Sequence, residues 1–159
     1  KDFNVLDKYK NQIIITPHPG EMSKITGKSV KEIQANRIKI SSDVSRKIKC
    51  ISVLKGFRTI ISSNSGQIYI NGSGNEGMAT GGMGDALTGI IASFIGQGYS
   101  ELESTILGVY VHGKAGDSIA DVTSKRGILA SEIIKKLPKT IKLIEENSSI
   151  YSDLERIEN

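Results

Sequence analysis

Sulfur, aromatic rings and long apolar runs are what this sequence has least of. A single cysteine, Cys50, excludes an intramolecular disulfide framework and fits a reducing compartment. Aromatic residues make up 5% of the chain, tryptophan is absent, and the lysines are scattered. The net charge of +4 and the pI near 9.1 are therefore not those of a nucleic-acid binder, which concentrates its basic residues and interleaves them with stacking rings. No apolar run approaches the roughly 20 residues that a bilayer demands, and no signal-peptide pattern opens the chain. These absences predict a cytoplasmic protein with neither membrane nor nucleic acid as partner. An initiator methionine is lacking too: the chain opens "KDFNVLDKYKNQIIITP", and the expectation is a fragment without its N-terminal part.

What is present is an ordinary globular composition. With 159 residues, 38% of them hydrophobic and 24% charged, the chain can build one core, and a single domain over 1–159 is expected. "NQIIIT", residues 11–16, is a β-branched run closed by Pro17, as in a buried strand of a parallel sheet. A short helix around Glu21 to Ile25 follows, with Gly27 as its stop. From Ser29 to Lys49 the residues Val30, Ile33, Ile38, Val44 and Ile48 recur at near-helical spacing, predicting an amphipathic helix interrupted near "SSD". "CISVLKG" reads as a second buried strand, and "RTIISSNSGQIYIN" as a hairpin turning at "SNSGQ". Helices are predicted from about Asp85 to Ile95, from Glu101 to about Ala120, and from Leu129 onward with a break or kink at Pro138. The polar tail 145–159 is expected to fray. The order of elements predicts an α/β layered domain.

Seven glycines lie between Gly72 and Gly89, which is costly unless the backbone must approach something closely. Two familiar phosphate motifs fail here. "GEMSKITGKS" spaces its glycines six residues apart where a P-loop needs four. Gly72, Gly74 and Gly77 spell GxGxxG, but "MATGGMGD" continues as loop and position 97 is Gln97 rather than an acid. "NGS" at Asn71 is a glycosylation sequon without meaning in a cytoplasmic chain. What remains is "TGGMGD" leading into "ALTGIIASFIGQG". Gly81, Gly82 and Gly84 allow backbone amides to converge at a helix N-terminus, where an anion is favoured. Asp85 then has two readings. It is either a helix cap or a general base that takes a hydroxyl proton while the amides hold the phosphate being transferred; the glycines before it favour the second.

The remaining candidates divide in the same way. His18 is an ordinary loop histidine or, at the end of a strand between two prolines, a ligand contact. Glu21 suits the first turn of a helix on dipole grounds alone, and Lys55 suits a surface. His112 and Asp117 are read as structural, and the basic residues Arg37, Lys39, Arg46, Lys47 and Lys49 as a solvated helix face.

"GNEGMATGGMGDALTGIIASFIGQG" and "ITPHPGEMSKITG", with "GVYVHGKAGD" and "GILASEIIKKLP" after them, resemble the NAD(P)H-hydrate dehydratases of the ribokinase-like superfamily from Ile13 to Pro138. The resemblance implies a three-layer α/β/α fold with a mainly parallel sheet whose N-terminal part is missing here. It implies an anion hole at Gly82 and Gly84 and a substrate-activating Asp85. Histidine at position 18, where related kinases have asparagine, would touch the hydrated dinucleotide. Glu21 would act near magnesium and phosphate. "KGFRT", Lys55, Gly56, Phe57, Arg58 and Thr59, would hold the adenine nucleotide together with Gly84. The implied reaction uses ADP or ATP with Mg2+ to phosphorylate the ring hydroxyl of hydrated NADH or NADPH, and loss of phosphate then restores the cofactor. The alternatives are a ribokinase-like kinase of a small hydroxylated metabolite and an inactive nucleotide-binding module. Members of this type carry further N-terminal βα units, so a homo-oligomer or a missing N-terminal fragment is expected to complete the sheet.

Overall fold

The computed structural model describes residues 13–147 and the backbone of Leu154–Ile157. Contacts divide the chain into two compact units, residues 1–70 with 155–159, and residues 71–154.

The first unit is built on a sheet. Strand β1 (Ile14–Ile15) pairs in parallel with β2 (Ile51–Leu54), Ile14 opposite Ile51; the Asn11 and Gln12 of the predicted strand lie outside the described residues. β3 (Ile60–Ser62) and β4 (Ile68–Asn71) form the predicted hairpin, antiparallel to each other and to β2. The described pairings thus make a mixed sheet, with the parallel pair at its β1 side. A fifth strand, β5 (Leu154–Ile157), follows β4 in the sheet order, where a frayed tail was expected. Helix α1 (Pro19–Thr26) ends at Gly27, which takes a left-handed φ of 76°.

The long amphipathic helix is two helices, α2 (Val30–Ala35) and α3 (Arg37–Ile48), parted at Asn36 and not at "SSD". Ile33 and Ile40 keep their apolar phase across the break. With Met22, Val44, Leu54, Ile60 and Ile68 they form one apolar cluster. The serines that suggested an interruption are buried instead. Ser41 Oγ receives a hydrogen bond from Ser62 Oγ at 2.9 Å and donates to Ser52 Oγ at 3.3 Å, so these hydroxyls satisfy one another between α3 and the sheet. Ser45 Oγ donates to the Cys50 carbonyl at 2.6 Å. Burial pushes the Cys50 thiol up to about 11, which keeps it protonated and unreactive.

The second unit is helical. α4 (Met83–Gly96), α5 (Glu101–Ala120) and α6 (Ala130–Glu146) surround Met83, Ile90, Phe94, Val111, Ala115, Ile119, Ile128 and Ile133. α5 spans the residues predicted for it, and Ser100 with Glu103 closes its N-terminus as a capping box. Pro138 lies inside α6 without ending it, and Glu145 and Glu146 belong to this helix rather than to a frayed tail. No helix of the described residues is long and apolar enough to cross a membrane.

Candidate functional site

In the first unit the strand β1 delivers Pro17 and His18 to the start of α1. His18 is the N-cap: its Nδ1 accepts from the amides of Gly20 at 3.0 Å and Glu21 at 3.3 Å. Glu21 reciprocates, Oε2 accepting from the His18 amide at 2.7 Å, which completes a capping box. The structural readings of both residues are therefore met, and further polar groups lie close by. The imidazole Nε2 lies 3.6 Å from Glu21 Oε1, and Lys55 Nζ lies 3.7 Å from Glu21 Oε2. The His18 amide bond holds the Glu21 carboxyl below the usual carboxylate range against a partial desolvation, and Lys55, His18 and Lys24 add to the lowering. Three groups singled out in the sequence are thus brought together, with a glutamate kept ionised among them.

Lys55 opens the segment Lys55–Thr59, which leaves β2 and enters β3. Its amide donates to the Pro17 carbonyl at 2.9 Å, tying the segment to the start of α1. Gly56 has φ 140° and Arg58 φ 53°, so the backbone here is shaped by two conformations that ordinary side chains rarely take. Phe57 is 83% exposed, with the Arg58 guanidinium 5.8 Å from its ring centroid. Sequence reasoning missed one participant. Arg37, placed on a solvated face, is half-buried and donates to the carbonyls of Leu54, Lys55 and Phe57. Lys39, Arg46, Lys47 and Lys49 are exposed as expected. A cleft of about 710 Å³ between α3 and the hairpin takes in Arg37, Arg46 and Arg58, but of the predicted site residues it contains Arg58 alone.

The glycine-rich stretch lies in the second unit, and its glycines serve two purposes. Gly74 donates its amide to Asp117 Oδ2 at 2.8 Å, and Asn75 Nδ2 donates to Asp117 Oδ1 at 2.9 Å. Ser73 Oγ donates to the Tyr110 carbonyl at 3.0 Å. Asp117 is therefore structural in a specific way: it anchors this loop to α5. A Cβ on Gly77 would sit 2.1 Å from the Lys125 carbonyl oxygen, so the literal GxGxxG contributes close packing here and opens only a short 3-10 turn, Glu76–Met78. Thr80 Oγ1 then donates to the Ile128 carbonyl at 2.9 Å, fixing the approach to Gly81.

Gly81, Gly82 and Gly84 are different. Gly82 is the N-cap of α4, at φ 83°, and no side chain caps the helix. The first intrahelical bond runs from Ala86 N to the Gly82 carbonyl at 2.9 Å, which leaves the amides of Met83, Gly84 and Asp85 without an intrahelical acceptor. Asp85 does not cap: it is the third residue of the helix, exposed, and its carboxylate has no hydrogen bond or ion pair among the described residues. An uncapped helix N-terminus with a free carboxylate in its first turn is suited to an anion and a proton acceptor side by side. Among the described residues no three carboxylate, imidazole or thiol groups converge as a metal cage.

Comparison with known proteins places the chain in one lineage. A family model described as NAD(P)H-hydrate dehydratase matches residues 2–139. The bifunctional NAD(P)H-hydrate repair enzyme of Moorella thermoacetica is 41% identical over 145 residues, 91% of this chain and 27% of that protein. The crystal structure of the ADP/ATP-dependent NAD(P)H-hydrate dehydratase from Bacillus subtilis, co-crystallised with ATP/Mg2+, superposes with a TM-score of 0.80 at 34% identity. That match covers 82% of this chain and 47% of the other. A ribokinase-like superfamily protein from Enterococcus faecalis gives a TM-score of 0.71 at 30% identity, over 89% of this chain and 50% of the other. The fold is thus ribokinase-like α/β, and the chain spans about half or less of the length of these relatives. Because the family model spans the His18 turn, the Lys55–Thr59 segment and the α4 N-terminus alike, the chain belongs to the NAD(P)H-hydrate dehydratase family.

Proposed function

We propose that the protein dehydrates hydrated NADH and NADPH in a reaction that consumes an adenine nucleotide, returning the damaged cofactors to use. The observation that carries the reading is the α4 N-terminus, where unpaired amides and an unbonded Asp85 carboxylate occupy one helical turn. Water is a poor leaving group and phosphate a good one. In the proposed sequence Asp85 takes the proton of the ring hydroxyl as its oxygen bonds to the terminal phosphorus of ADP or ATP, while the bond to the nucleotide leaving group breaks. The amides beside Gly81, Gly82 and Gly84 stabilise the charge on the transferred phosphoryl. Phosphate then leaves the ring, a proton leaves the adjacent carbon, and the double bond returns.

The other residues bind and orient. His18, with Nδ1 committed to the cap, keeps Nε2 as the face it can turn to the dinucleotide. Lys55, Gly56, Phe57, Arg58 and Thr59 contact the adenine nucleotide, and Gly84 is a nucleotide contact in its own unit. The residues present fit magnesium held by phosphate and water: Glu21 is ionised and reachable, and no protein cage is needed for a cation that keeps several of its waters. Magnesium, when bound, neutralises phosphoryl charge, and Glu21 would hold it through water. The reading includes a cytoplasmic location and a longer protein, or an oligomer, that supplies the N-terminal part of the domain.

The test mixes the purified protein with hydrated NADH, magnesium and either ADP or ATP and follows the return of reduced-nicotinamide absorbance. Nucleotide-dependent recovery that disappears in Asp85→Asn, with nucleotide binding retained, is the expected result. A stable phosphate ester accumulating instead would replace dehydration by simple kinase activity, and nucleotide binding without turnover of any kind would make the protein a binding module.

A further inference from the structure

We infer that Arg37 is the positioning residue of the segment Lys55–Thr59, setting the shape in which it meets the nucleotide; this rests on the reading of that segment as the adenine-nucleotide site. The segment has a problem that its own sequence cannot solve. Between β2 and β3 the chain passes through Gly56 at φ 140° and Arg58 at φ 53°. That path presents the carbonyls of Lys55 and Phe57 towards α3, where each needs a donor, beside the Leu54 carbonyl at the end of β2. The Gly56 carbonyl is served from within, by Thr59 Oγ1 at 3.0 Å. Arg37, the first residue of α3, serves the other three: Nη2 reaches Leu54 at 3.1 Å and Lys55 at 3.5 Å, and Nη1 reaches Phe57.

A second, independent observation concerns space. A Cβ built on Gly56 would lie 3.1 Å from Arg37 Nη2. The guanidinium therefore lies close over bare backbone, and glycine is favoured both by its conformation and by the arginine beside it. Arg37 gives up something for this placement, since its Nε is buried without a partner. A guanidinium carries its donors in a fixed plane and can bridge several carbonyls at once, whereas a lysine ammonium is a point donor on a flexible stem.

The consequence reaches the site through Lys55. With its carbonyl bonded to Arg37 and its amide bonded to Pro17, Lys55 is held through both of its flanking peptide groups, and its ammonium lies 3.7 Å from Glu21 Oε2. Phe57, whose carbonyl is also taken, leaves its ring exposed. No carboxylate among the described residues pairs with Arg37. Its charge is balanced by carbonyl dipoles alone, which leaves the segment attractive to a phosphate.

The test compares full-length wild-type protein with Arg37→Lys and Arg37→Gln. Three readouts are taken: the affinity for a fluorescent ADP analogue, the separate KM values for nucleotide and hydrated NADH, and amide hydrogen exchange over residues 55–59. In Arg37→Lys, nucleotide affinity should fall about tenfold or more, because a segment no longer held in shape must be ordered at the expense of binding. The KM for nucleotide should rise in step while that for hydrated NADH stays put, and exchange should quicken over 55–59 and not elsewhere. Arg37→Gln, which keeps a donor but not the plane or charge, should lie at or beyond the lysine variant. Unchanged affinity in both variants, or equal damage to both KM values with faster exchange throughout, overturns the inference and leaves the nucleotide reading standing. Wild-type protein that binds no adenine nucleotide overturns that reading, and the inference falls with it.

Discussion

The turn after β1 and the start of α4 are both helix N-termini bearing a carboxylate, and they are finished in opposite ways. At α1 the helix amides are satisfied by side chains: His18 caps, Glu21 caps in return, and Lys55 closes on the glutamate. At α4 the cap is a glycine, three amides have no intrahelical acceptor, and the Asp85 carboxylate is bonded to nothing among the described residues. A stable helix end uses its own side chains to satisfy its amides; a glycine-capped end that leaves them open forgoes only a few tenths of a kcal/mol of capping and keeps a place for a ligand. The first arrangement holds groups in position, and the second holds a position for a group.

Substitutions can break this contrast in order of expected size. Asp85→Asn should cost activity by about 10²- to 10⁴-fold, the usual worth of a general base. It should change denaturant stability by no more than about 0.5 kcal/mol, because an exposed side chain without partners has little to lose. A large stability loss would mean that Asp85 belongs with the capped end after all. Asp117→Ala removes both bonds that anchor the loop at Gly74 and Asn75, and should cost about 2–3 kcal/mol in urea unfolding.

Glu21→Ala should cost about 1 kcal/mol through the capping box, and the loss should depend on pH. The folded-state carboxyl sits below its ordinary value of 4.5. Its contribution is therefore complete above that value and disappears as pH falls through the lowered folded pKa. Wild type and variant should differ at neutral pH and converge in acid; a gap that persists at the lowest pH would assign the effect to packing. Asp43→Asn is the control. Its pair with Lys39 at 2.7 Å is exposed and one helical turn apart, and a change beyond about 0.5 kcal/mol would be unexpected.

How much of this could be read from the letters depended on whether the cause was local. The hairpin, α5 and the onset of α4 follow from turn chemistry, a capping box and a glycine run, all within a few residues of their effects. The break at Asn36 was hidden because Ile33 and Ile40, seven residues apart, fit an uninterrupted helix as well as a broken one. The serines of α3 misled for a related reason: polarity suggests solvent, yet their partners are strand serines distant in sequence. Arg37 was illegible in the same sense, since the carbonyls it serves lie 17 to 20 residues further along the chain. At His18 and Glu21 the structure shows the capping box that the local reading allows, and the same two residues are those that the proposed site would use. The anion-site reading of Asp85 came from its glycine neighbours, and the family resemblance supplied what the anion would be.

The buried serines also bear on how strand pairing is proofread. Ser52 and Ser62 face each other across β2 and β3, with Ser41 shared above them. A slip of two residues would keep each side chain on its proper face of the sheet, so hydrophobicity alone would tolerate it. It would also strand hydroxyls in an apolar interior without partners, at a cost of about 1–3 kcal/mol each. The trio therefore acts as a checksum on alignment with Ser41 at its centre: alanine there takes the shared partner from both strand serines, whereas three alanines together leave no hydroxyl to satisfy.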